Sequence, residues 1–224
     1  GDYKVTTLTA YNGQKNLLNG LIHSDNIYFA QAALKIGTSN FTSNLEKIGF
    51  NESLDFPITL AKSKYSNSNT IESEGQLADS GFGQGNILVN PIHMASIYSS
   101  FANDGNMIKP YIEYKEDTKS EILKENVFTK DAANTIKEDL IQVVENPQGT
   151  ANDMKVSGVT IAGKTGTAEL KQNKEDKDSG TLGWFNCFTT NKDSNLLIIG
   201  MVENTQNNSN GGSHYLIKKI KTLF

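Results

Sequence analysis

The last third of the chain sets three strand-forming runs one after another: Val159 to Leu170, read as a strand or strand pair, Leu182 to Thr190, and Leu196 to Val202. Runs this short and this closely spaced can only meander, the last two as a hairpin, and an antiparallel sheet of that kind needs helices to cover it. Helical patterns occupy the rest. One runs from Ile27 to a stop at Gly37, with Ile27, Ala30 and Leu34 on one face. A short one carries Phe41, Leu45 and Ile48 up to Gly49. Asn90-Pro91 opens a third as N-cap and first residue, and Met94, Ile97, Tyr98 and Phe101 form its stripe before Asp104-Gly105. Thr129 starts a fourth, with Ile136, Leu140 and Val143 or Val144 inward. Ser213 caps a closing helix bearing Leu216, Ile220 and Leu223. Residues 4–8 read as extended, Asn12-Gly13 as a turn, and 51–78 as polar loop. Helices, then strands, then a last helix give an α+β class, with no internal repeat and no obvious second domain.

The composition narrows the partners. All 21 basic residues are lysine and the net charge is −4, so the bidentate arginine contacts of nucleic-acid readers are missing and nucleic acid is excluded as a partner. His23, His93 and His214 share no metal-ligand spacing, and the one cysteine, Cys187, lies in the apolar run 184–188, where it reads as core. Neither metal nor cofactor is expected. No apolar run is long enough to span a bilayer.

Three short motifs could carry chemistry. Ser24-Asp25-Asn26 precedes the first helix and, alone, reads as an N-cap. Lys164-Thr165-Gly166-Thr167 lies within the first strand run. The string Gly158 to Thr165 satisfies the P-loop expression, but Val159-Thr160-Ile161-Ala162 is strand-forming where a phosphate cradle needs a loop. Gly81-Phe82-Gly83-Gln84-Gly85 has no strand leading into it, so it is a tight turn feeding a helix rather than a dinucleotide fingerprint.

Together these motifs form a set. Ser-Asp-Asn and Lys-Thr-Gly, 140 residues apart and in that order, are two of the three signatures of penicillin-binding proteins and serine β-lactamases. The stretch 23–30, the block 81–85 followed by Asn90-Pro91 and Phe101 to Gly105, Lys164 to Glu169, and Gly183-Trp184-Phe185 all resemble class B penicillin-binding proteins. The resemblance covers nearly the whole chain and is nearest to the low-affinity, methicillin-resistance type of Gram-positive bacteria. It implies a penicillin-binding protein/serine β-lactamase-like transpeptidase fold, an antiparallel sheet flanked by helices. The third signature, Ser-x-x-Lys, is absent; its nearest imitation is Thr59-Leu60-Ala61-Lys62. Residues 1–224 are therefore expected to form the C-terminal portion of a single transpeptidase domain whose nucleophile segment lies upstream.

The resemblance implies a peptidoglycan D,D-transpeptidase, inactive as this piece alone, that cross-links stem peptides through a serine acyl-enzyme and is inhibited by β-lactam antibiotics. It would act at the outer face of the cytoplasmic membrane through an N-terminal anchor, among other cell-wall synthesis proteins. It assigns Ser24 a proton relay to the leaving amine. Asn26 would hold the substrate amide, and Lys164 would sit beside Ser24 and attract the substrate carboxylate. Thr165 and Thr167 would bind that carboxylate, with the N–H of Thr167 as half of an oxyanion hole, and Gly166 would let substrate pair closely. Asp25 reads as a helix-start charge. A serine β-lactamase and a non-catalytic β-lactam sensor are the alternatives. Because Lys164 and Thr165 alternate across a strand, both can serve one cleft only from an edge strand. The charged loop Lys171–Gly180 either gates that cleft or is simply solvated.

Overall fold

The computed structural model describes residues 4–7, 10–170, 180–191, 195–205 and 211–224. In chain order the elements are α1 (Leu17–Ile22), α2 (Asn26–Ile36), α3 (Thr38–Lys47), α4 (Glu74–Ser80) and α5 (Pro91–Ala102). Then come β1 (Met107–Ile108), β2 (Ile122–Lys124), α6 (Lys130–Glu145), β3 (Ile161–Glu169), β4 (Thr181–Thr189), β5 (Leu197–Val202) and α7 (Gly211–Ile220). They fall into two compact units, Gly1–Ala10 with Asp25–Ile136, and Tyr11–Ser24 with Lys137–Phe224, so one boundary runs between Ser24 and Asp25 and another inside α6.

The second unit is built on the expected meander. Its sheet has the order β3-β4-β5, antiparallel throughout. Among the described residues β3 pairs with β4 alone, so it is an edge, as the lysine motif requires. From Phe185 to Thr189 every residue of β4 is buried, which explains the loss of alternation there. Helix α7 packs on β4, and backbone meets backbone: a Cβ added at Gly183 would fall 2.3 Å from the Cα of Gly212. Val143, Val144, Ala151, Met154, Ile161, Phe185, Cys187, Ile217 and Ile220 form this unit's core. Cys187 is a core residue, and burial pushes its thiol up to about 12, far from a reactive thiolate.

The closing helix turns differently from its sequence stripe. Ser213 is buried inside its first turn rather than capping it, Ile217 and Ile220 face the core, and Leu223 is exposed. Leu223 lies in a terminal 3₁₀ turn, where three residues per turn rotate it off the line that α-helical spacing projects.

In the first unit Asp25 caps α2, accepting from the N–H groups of Ile27 and Tyr28. The buried residues of α2 are Ala30 and Ala33, while Ile27 and Leu34 are exposed. The expected stripe holds at Ala30 but not at Ile27 and Leu34, because the end of α4 approaches too closely for large side chains: a Cβ at Gly81 would meet the carbonyl oxygen of Phe29 at 2.6 Å and the Cβ of Ala33 at 2.7 Å. The segment read as loop to residue 78 contains α4, which Ser73 caps at the N–H of Gln76. Seven residues are too few for a period to show.

Asn90 and Pro91 start α5 as expected, with the Asn90 side chain accepting from the N–H of Ile92. Its buried face is largely polar: His93, Ser96, Ile97, Ser99 and Ser100. The hydroxyls of Ser99 and Ser100 donate to carbonyls three residues back, which makes their burial tolerable. His93 bridges the Oγ of Ser63 at 2.7 Å and the carbonyl of Ile48 at 2.8 Å. Ile48 O can only accept, so Nε2 carries the proton. Ser63 Oγ accepts from the N–H of Asn90 and donates to Nδ1. Phe50, Tyr65, Ile97, Met107 and Val127 form this unit's core. The two-stranded ribbon β1–β2 has no counterpart in the sequence reading. No described helix is long and apolar enough to cross a membrane.

Candidate active site

Lys164 lies mid-strand in β3, at the free edge of the sheet. Its Nζ donates to the Oγ of Ser24 at 2.7 Å and to the carbonyl of Thr165 at 3.0 Å. Removal from water disfavours the charged amine, and burial lowers its pKa to about 8. The ammonium form therefore still predominates at neutral pH, but it gives up its proton far more readily than a surface lysine.

Ser24 reaches this point from the turn after α1. Asn16 caps α1, accepting from the N–H of Asn19, and the N–H of Ser24 donates to the carbonyl of Leu21. Ser24 itself has φ +53°, in the left-handed region that non-glycine residues seldom occupy. Such strain persists where neighbours over-determine it, and functional sites collect it. The ring of His23 stacks on Tyr11, 4.0 Å between centroids, and the Lys15 ammonium sits 3.2 Å from the centre of the Tyr11 ring. This stack braces the turn that presents the serine.

Thr165 points its Oγ1 to the Oγ1 of Thr150 at 2.8 Å, and the N–H of Thr150 donates to the carbonyl of Ile22. Thr150 thus links the lysine strand to the end of the helix that precedes Ser24. Nothing in its local sequence marks it. Gly149 alone hints at a close turn: a Cβ there would collide with the carbonyl of Val143 at 2.1 Å. Gly166 pairs with Trp184, and a Cβ at 166 would press on the Trp184 Cβ at 3.2 Å, so the glycine is needed by the sheet as well. Thr167 is exposed and pairs with Gly183. Asn26 belongs to the first unit as the first residue of α2, and its side-chain amide donates to the carbonyl of Thr6 at 3.1 Å. Residues 171–179 of the candidate gating loop lie outside the described residues. Among the described residues no cluster of His, Cys, Asp and Glu could hold a metal ion.

A lysine on an edge strand bonded to the serine of a Ser-x-Asn turn is the arrangement that the motif set calls for. Residues 1–220 match the family model of the penicillin binding protein transpeptidase domain, and the chain belongs to that family. It is 41% identical to penicillin-binding protein 3 of Bacillus subtilis (strain 168), over all of this chain and 33% of that protein. It is 27% identical to the probable peptidoglycan D,D-transpeptidase PbpC of Pseudomonas aeruginosa, over 82% of this chain and 32% of the relative. The chain thus spans about a third of the length of these curated relatives. Among solved structures it resembles a ceftriaxone acyl-enzyme complex of penicillin-binding protein A from M. tuberculosis, with TM-score 0.77 and 20% identity over 92% of this chain and 47% of that one. It also resembles the D,D-transpeptidase domain of a peptidoglycan glycosyltransferase from Eggerthella lenta, with TM-score 0.73 and 22% identity over 92% of this chain and 52% of that one. At such identities the likeness establishes the fold, which is the expected α+β transpeptidase fold.

Proposed function

We propose that this chain is the C-terminal portion of a transpeptidase domain which, in the whole protein, cross-links peptidoglycan stem peptides through a serine acyl-enzyme and is acylated by β-lactams. The observation that carries this reading is the hydrogen bond from Lys164 Nζ to Ser24 Oγ. Membership of the family supports it, as does the activity named for the Pseudomonas relative. No serine in the 224 residues is followed three positions on by lysine, and the proposal assigns the nucleophile to a Ser-x-x-Lys segment outside this sequence.

The roles proposed here are those of the family pattern, and the contact between Lys164 and Ser24 supports them. The nucleophilic serine gives its proton to the lysine of its own Ser-x-x-Lys segment and attacks the carbonyl between two D-alanines, and the C–N bond breaks. The leaving nitrogen takes the proton of the Ser24 hydroxyl. Because Ser24 Oγ already accepts a hydrogen bond from Lys164, its own proton is free to point outward, and the ammonium behind it replaces the proton as it leaves. The same ammonium attracts the terminal carboxylate of the substrate. Thr165 and Thr167 hold that carboxylate by their hydroxyls, and Thr165 exchanges its Thr150 partner to do so. The N–H of Thr167 supplies half of the oxyanion hole, a donor worth about 3–4 kcal/mol in the transition state. Gly166 admits the substrate backbone, and Asn26 holds the substrate amide. The enzyme works at the outer face of the cytoplasmic membrane, anchored by a segment outside these residues and alongside other cell-wall synthesis proteins.

Intact-mass spectrometry with a β-lactam tests this. The whole protein should gain one covalent adduct, on the serine of a Ser-x-x-Lys segment outside residues 1–224, and the 224-residue chain alone should gain none. An adduct on Ser24 would overturn the assignment.

A further inference from the structure

Asn186 sits in the middle of β4 with 5% of its surface exposed. Its side-chain oxygen has no hydrogen-bond donor among the described residues. Buried polar atoms are almost always paired, so one that is not asks for a use. Its neighbours on the same face of β4 are Trp184 and Phe188, and an apolar residue between two aromatic ones would pack without that difficulty.

The register of the sheet supplies the use. Asn186 pairs directly with Lys164. The two side chains leave the sheet on the same face as cross-strand neighbours, with Cβ atoms about 5 Å apart. An ammonium carries three N–H donors. Two of those on Lys164 go to Ser24 Oγ and Thr165 O, and the described residues offer the third no acceptor. A donor without an acceptor and an acceptor without a donor therefore stand side by side.

We propose that Asn186 is a positioning residue for Lys164: its amide oxygen takes the third N–H of the ammonium, through a small side-chain rotation or one bridging water, and keeps the charged amine aimed at Ser24. This rests on the reading of Lys164 and Ser24 as parts of a transpeptidase site. The groups bonded to the amine are Ser24 from the turn after α1 and Thr165 on its own strand, with Asn186 opposite on β4. None of them ionises near neutrality, and burial is the single cause of the lowered basicity of Lys164. The amide dipole opposes that burial, because it favours the protonated form.

The test follows the Lys164 side-chain amine by NMR in the isotopically labelled whole protein, as wild type, Asn186→Leu and Asn186→Asp, together with the pH dependence of β-lactam acylation. Asn186→Leu should lower the midpoint of the Lys164 titration by about one pH unit, and Asn186→Asp should raise it by about two, as expected for a carboxylate within reach of an ammonium. The alkaline limb of acylation should move with it. If Asn186→Leu does not fold, Asn186→Asp, which matches the amide in size, decides alone. A midpoint unchanged within about 0.2 unit in a folded Asn186→Asp variant overturns the proposal. If the midpoints move as stated but the wild-type protein takes no β-lactam, the positioning role stands and the transpeptidase reading fails. If acylation is normal and the midpoints stay put, the reverse holds.

Discussion

The Nζ of Lys164 donates to the Oγ of Ser24 at 2.7 Å across 140 residues of chain. Each partner sits in an unusual local arrangement, the lysine half-buried on an edge strand and the serine in a left-handed turn. Both arrangements oppose stability, and both suit the proton path proposed for the site.

Substitutions at Ser24 should separate those two effects. Ser24→Ala removes the relay and should slow β-lactam acylation of the whole protein by about 100- to 10,000-fold. Ser24→Gly should lose as much activity yet gain about 1 kcal/mol of stability, because glycine adopts φ +53° without strain. Acylation rates and denaturant midpoints measured on both variants read the two effects separately.

The pKa of about 8 at Lys164 sets an alkaline limb. The proposed roles need the ammonium, so acylation should fall as pH rises through about 8. Lys164→Arg keeps its charge throughout that range and should abolish the limb while lowering the plateau. The stability effect has the opposite sense. The folded-state pKa lies below the unfolded value of about 10.4, so the unfolded chain binds more protons between those limits, and the contribution of Lys164 to stability rises with pH across that window. A stopped-flow acylation profile from pH 6 to 10 checks the first claim, and urea unfolding over the same range checks the second.

Gly183→Ala should be among the most disruptive single-methyl additions in the second unit. The new Cβ would lie 2.3 Å from the Cα and 2.4 Å from the carbonyl carbon of Gly212, both backbone atoms that no rotamer change can move. Helix α7 must lift off β4, at a cost of about 3 kcal/mol. Chemical denaturation should show that loss, and Thr181→Ala on the same strand, where no backbone is displaced, should show far less.

His93 should make the first unit acid-sensitive. Burial outweighs its other interactions and holds its pKa below the usual value of about 6.5. The unfolded chain then takes up the proton first as pH falls. The stability contributed by the neutral ring is complete above about 6.5 and is lost as pH drops through the lower folded-state value. Protonation would also turn Nδ1 from acceptor to donor against the Ser63 hydroxyl. Urea midpoints should fall between pH 7 and 5 in the wild-type chain, and a His93→Gln variant should lose less over that interval.

Much of this molecule was legible from residue types along the chain. The meander of β3, β4 and β5 was visible because β-branched and aromatic runs alternate with turn signals. Asn90-Pro91 and Gly37 mark helix ends by chemistry that acts within a turn. The motif set gave the family and named both partners of the serine–lysine pair. Helix faces were read less well. Large apolar residues are expected to face inward, and on α2 and α5 this holds only in part: Ala30 and Ile97 are buried, while Ile27 and Leu34 are exposed. On α2 the inner positions are alanines under a close glycine contact, and on α5 Ile97 shares the inner face with His93 and serines, of which Ser99 and Ser100 bond to their own helix.

The sequence alone determined the class of fold, the order of its strands and the motifs on which the proposed site rests, because propensity, capping and motif spacing are local properties. Only the tertiary structure decided that Ser24 sits in a left-handed turn, that Thr150 ties Thr165 to the end of α1, and that Asn186 stands unpaired beside Lys164. Those facts depend on which strands become neighbours, in what register, and how close two backbones come, and no window along the chain contains that information.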